Sequence, residues 1–254
     1  MNEKIREFMN NMNPVAPPPI PPVHRPGLAP LGENPEEREP IPNLVVAIES
    51  ILRQPRRVLF RLRQPDGVGL SARMLLVAVV CVLVYGVVVG TFSMHDQLWI
   101  APLKIAGGLL VSAVIYLPSL YIFACLSGSR AGLAEIFGQI CGLLMLTTLL
   151  LIGFAPVAWL FSQSTESIVW MGALHLLFWG IATIFGLRFL SSGFVHSQAR
   201  SRAGLNTWVI IFVLVVLQMT TALRPIVGTS DKFFPETKKF FLNYWSECLK
   251  ASRE

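Results

Sequence analysis

Charged side chains make up only 14% of this 254-residue chain, against roughly a quarter in soluble domains. That shortage leaves too little polar surface to cover a water-soluble body of this size. Cysteine is also scarce. The four present fall in no Cys-x-x-Cys or cysteine–histidine spacing, which argues against a zinc centre or a disulfide scaffold. Cys81, Cys125 and Cys141 read instead as small apolar fillers. Gly-rich phosphate loops, serine nucleophile elbows and His-Glu-x-x-His are missing, so no enzyme activity, cofactor or metal is expected. The first forty residues carry no apolar run of the secretory kind, and targeting is expected to fall to the first membrane span.

What the chain has in abundance is apolar length, with 53% hydrophobic residues. Five stretches stand out: Met74 to Ser93, Ile105 to Leu126, Ile136 to Phe161, Ile168 to Leu187 and Leu205 to Leu223. Twenty helical residues rise about 30 Å, the thickness of the hydrocarbon layer. Backbone amides in lipid must be satisfied internally, so each stretch is expected to be a helix. The expected fold is therefore an all-α membrane protein, a bundle of five transmembrane helices over 74–224.

Arginine and lysine set the orientation. Arg53, Arg56, Arg57, Arg61, Arg63, Arg73, Arg130, Arg188, Arg200 and Arg202 share one side of the expected topology. Lys104, Arg224, Lys232, Lys238 and Lys239 share the other. The positive-inside rule places the amino terminus in the cytoplasm and the carboxyl terminus outside. The formal charge of +6 sits largely beside the spans, which favours the lipid bilayer over nucleic acid as partner.

Three pieces flank the spans. Residues 1–42 hold eleven of eighteen prolines from Pro14 onward and are expected to be a disordered tail of polyproline II character, either a spacer or a docking segment for a cytoplasmic protein. In 43–73, apolar residues at helical spacing are broken once by Pro55. Arg53, Arg56, Arg57, Arg61 and Arg63 make this a basic interfacial segment whose side chains are expected to reach lipid headgroups. In 225–254, Phe241, Tyr244, Trp245, Cys248 and Leu249 fall on one helical face, an aromatic and basic amphipathic helix suited to the interface.

Inside the spans the chemistry is sparse. Gly86 and Gly90, Gly138 and Gly142, and the looser pair Gly108 and Ser112 are candidate helix-packing positions, seating neighbours within one chain or forming a homo-oligomer. Pro118 and Pro156 are expected to kink their helices, whereas Pro102 suits a first turn. His175 is the one ionisable group clearly at depth, with Tyr116, Tyr121 and Thr147 as candidate hydroxyl partners. Glu135 and Glu166 lie at helix starts, where they complement the positive dipole end.

The stretch from Leu126 to Phe161, with its Leu-Ser-Gly-Ser-Arg turn, Leu133 and Glu135 opening the next helix and the later Ala155-Pro156, resembles the central part of the Yip family of five-span membrane proteins. The resemblance implies five spans, a cytoplasmic amino-terminal tail and, through the family's bacterial branch, the inner (plasma) membrane. Eukaryotic members act in vesicle traffic with small GTPases. Their Asp-Leu-Tyr-Gly-Pro motif is absent here, so a GTPase partner is not implied. The tail and flanking helices point to a non-enzymatic scaffold or partner-recruiting factor; Pro118, Pro156 and His175 motivate the competing class, a small transporter or channel using helices two to four.

Overall fold

The computed structural model describes residues 29–91, 97–164, 168–197 and 203–222. The proline-rich stretch ahead of residue 29, Glu166 and the expected aromatic helix around Phe241 to Leu249 lie outside the described residues. Helices are the regular structure found among those described: α1 (Pro35–Arg38), α2 (Leu44–Arg53), α3 (Pro55–Leu62), α4 (Gly67–Gly90), α5 (Gln97–Leu126), α6 (Leu133–Ser164), α7 (Ile168–His196) and α8 (Ala203–Ala222). Four of them, α4 to α7, are long and apolar enough to cross a bilayer. The expected fifth span coincides with α8, but its described apolar part, Ala203–Val216, is shorter than a crossing.

The helices outrun the apolar stretches, because a helix continues into the interface after hydropathy falls. α4 begins at Gly67, before Met74, and α5 begins at Gln97, before Ile105. Two readings change with these ends. Pro102 lies inside α5, past the first turn expected for it. Lys104, counted above as a flanking charge, is about 10 Å along the helix from Gln97 and is buried, with 4% of its surface exposed. α5 runs on through Pro118 and α6 through Pro156.

Close packing decides the arrangement. In α6, 61% of the apolar window is buried within the protein, against 28–39% in the other three spans, so α6 is the hub. It lies between α4 and α7; α5 packs on α4, and α8 on α5. Glycines let these backbones approach. A Cβ on Gly86 would meet the Pro102 backbone of α5, and one on Gly142 would meet the Phe189 ring of α7. One on Gly138 would meet Leu62 of α3 and Ser71 of α4. Although Gly138 and Gly142 are one turn apart, they therefore seat different neighbours. Gly90, Gly108 and Ser112 are also buried within the chain.

Below the start of α4, the three short helices form a cap on this end of the bundle. Asn43 starts α2 by accepting a hydrogen bond from the Val46 amide at 3.0 Å. Pro55 stops α2 and opens α3 as a residue of its first turn. The cap buries Ala47, Ile51, Val58, Leu59 and Leu62, with Leu62 against Gly138 and Leu59 against Gly193. Residues 29–42, assigned above to the tail, belong to the cap as well: Ile41 and Glu37 are buried, and α1 packs on α3.

Candidate functional site

Among the described residues, two polar groupings stand out, a network in the cap and a pair inside the bundle. In the cap, Arg56 is the centre. Its Nε donates to Glu37 at 2.6 Å, its Nη2 donates to the carbonyls of Ala29 and Pro30 at 3.1 Å each, and its Nη1 lies 3.4 Å from His196 Nε2 at the end of α7. His196 Nδ1 lies 2.7 Å from the Ser192 carbonyl. Nδ1 must therefore carry the proton, which leaves Nε2 to accept from Arg56. Glu37 also accepts from the Gly32 amide. Burial pushes the Glu37 carboxyl up, but the hydrogen bond and charge of Arg56, with the Gly32 amide and Asn34, outweigh it and hold the group below its ordinary value.

The other four arginines expected on lipid are each paired within the chain. Arg53 meets Glu49 at 3.2 Å, Arg57 meets Glu39 at 3.4 Å, Arg61 meets Asp66 at 3.2 Å and Arg63 meets Glu135 at 2.9 Å. Glu135 in turn accepts from Gln139 at 3.3 Å. Between residues 29 and 73 the sequence holds seven arginines and six carboxylates, so the cap is close to neutral. Arg73 completes the closure by donating to the carbonyls of Ile41 and Pro42 at 2.9 and 3.0 Å.

The second site is a pair. Tyr85 of α4 and His175 of α7 meet at 2.7 Å between the hydroxyl and Nδ1, with the rings edge to face at 5.8 Å. Tyr85 takes the place of the hydroxyl partners proposed from sequence: Tyr116 and Tyr121 lie on α5, which packs on α4 and α8, and Thr147 of α6 lies against Gly186, about three turns along α7 from His175. His175 is 92% buried, from its 8% exposure, and its Nε2 has no hydrogen-bond partner. A tyrosine hydroxyl that donates to Nδ1 leaves one orphan, the Nε2 proton; the reverse sense strands both Nε2 and the tyrosine hydrogen. Donation from Tyr85 is therefore the favoured arrangement. Replacing Tyr85 by phenylalanine is expected to lower stability by about 1–3 kcal/mol, and adding His175→Phe to recover most of the loss, since two apolar partners leave nothing unsatisfied. Thermal melts of the three variants in detergent check this; an unchanged melt for Tyr85→Phe alone would refute the pairing.

Several of these residues escape sequence reading. Tyr85 follows an apolar run and precedes the noticed Gly86, so it reads as core. Gly186 and Gly193, which seat Thr147 and Gln139, sit seven apart on α7 and are the detectable signal. Glu37 lies between Pro35 and Pro40, a composition that suggests extended tail. Among the described residues, no three His, Cys, Asp or Glu side chains stand close enough to hold a metal ion. The chain matches no family model, no curated protein and no solved structure.

Proposed function

We propose that this protein is a non-enzymatic scaffold of the membrane, which holds its proline-rich amino-terminal tail at the cytoplasmic face for a protein partner. In this reading it has five spans, α8 being the fifth, with its carboxyl terminus outside, and it is Yip-like in design. The observation that carries the proposal is the position of α6. The axis of the bundle is occupied by a helix seated on glycines, and the α6–α7 seam is closed by apolar packing, including Phe154 stacked on Phe178 at 4.7 Å. A transport path through helices two to four has to displace that packing. His175, buried against Tyr85 in the outer third of α7, reads as a structural group.

The cap refines how the proposal is tested. Removing residues 1–42 deletes Glu37 and opens the cap, so the informative deletion ends at Leu28. With the bundle intact, this deletion is expected to reduce crosslinked partner recovered from native membranes by about tenfold or more, the loss of a few kcal/mol of peptide binding. Quantitative mass spectrometry of the crosslinked species checks it. Undiminished recovery of every partner would remove the recruiting role, and solute flux in vesicles of the purified protein would replace it with transport.

A further inference from the structure

From the exposed surface of α2 we infer that its apolar edge, Leu44, Val45 and Leu52, is inserted into the lipid at the boundary between headgroups and acyl chains. Successive helical residues are about 100° apart, which divides α2 into three faces. Ala47, Ser50 and Ile51 form one face and are buried on the bundle. Next to it lie Leu44, Ile48, Leu52 and Val45, with Val45 72% and Leu52 50% exposed. Beyond them come Glu49 and Arg53, paired with each other and largely open to solvent. A helix at a water–lipid boundary beside a protein needs these three faces in this order.

The depth of α2 follows from Arg73. Its guanidinium holds the carbonyls of Ile41 and Pro42, just ahead of the Asn43 cap, so α2 starts level with the first turns of the first span. On that span Val68, Leu76, Val80, Val84 and Val87 are exposed, a stripe at helical spacing that faces lipid in a membrane-crossing helix. Arg73 stands on the same side of α4 as Leu76, Val80 and Val87 by helical spacing, so the start of α2 lies beside this stripe. The arginines do not supply the attraction. Each of the five is already opposite a carboxylate, and the insertion is apolar, independent of anionic lipid.

A photoreactive side chain such as benzoylphenylalanine, placed singly at Val45, Leu52 or Glu49 of the full chain, tests the inference. The protein is reconstituted in nanodiscs of neutral lipid alone or with about one-third anionic lipid. Because Val45 and Leu52 are exposed, the probe displaces no packed neighbour, and Glu49 is an internal control on the same helix. After irradiation, mass spectrometry is expected to find lipid adducts at 45 and 52 on the order of tenfold above those at 49, with equal yield in both lipids. Adducts to a second copy of the chain, absence of lipid adducts at 45 and 52, or yields that depend on anionic lipid would each overturn it.

Discussion

Replacing Gly86 by leucine is expected to destabilise the bundle by about 3 kcal/mol or more, at the upper end for overpacking a close-packed interior. A Cβ at this position would come within 2.5 Å of the Pro102 Cα. The obstacle is main chain of the neighbouring helix, which cannot swing aside as a flexible side chain does. At Gly107, on α5, a Cβ meets nothing within 4 Å, and Gly107→Leu is expected to stay within about 0.5 kcal/mol of the parent. Thermal melts and gel filtration in detergent compare the two. Equal behaviour of the variants would mean that Gly86 seats nothing.

Replacing Arg56 by alanine is expected to open the cap while leaving the spans folded. The substitution removes the cation opposite the Glu37 carboxylate, which is 5% exposed and keeps only neutral donors such as the Gly32 amide, and frees the Ala29 and Pro30 carbonyls. Breaking a buried pair costs about 3–5 kcal/mol, and Arg56 keeps 31% of its side-chain surface, so the low end applies. About 3 kcal/mol corresponds to an increase on the order of a hundredfold in opening, read as faster proteolysis within residues 29–42. The same pair makes closure acid-sensitive. The Glu37 carboxyl is depressed from 4.5, so its contribution is complete above that value and is lost as the pH falls through the lower folded value. Glu37→Gln is expected to flatten this acid dependence. Identical cleavage of Arg56→Ala and parent at neutral pH would dismiss the network.

Four of the five expected spans, α4 to α7, were legible in the sequence because apolar length is a direct physical requirement of the bilayer. The cap was not. Counting arginines beside a membrane leads to a lipid reading, and the acids that the fold sets against them have to be counted as well. Glu49 and Asp66 stand four and five residues from their partners and were detectable by spacing. Glu37 and Glu135 stand nineteen and seventy-two residues away, and only the fold brings them in. Proline content likewise suggested extended chain, whereas Pro35 and Pro55 open helices. The partner of His175 depended on which helices touch, a question that hydropathy cannot address.

The latches on the cap carry a consequence for biosynthesis. Arg63 needs Glu135, supplied by the third span, and Arg56 reaches His196 only when the fourth has been made. The cap precedes both partners in the chain and should thus close only after insertion of the spans has advanced that far. An amino-terminal region exposed during synthesis and then clasped would distinguish a half-built chain from a finished one.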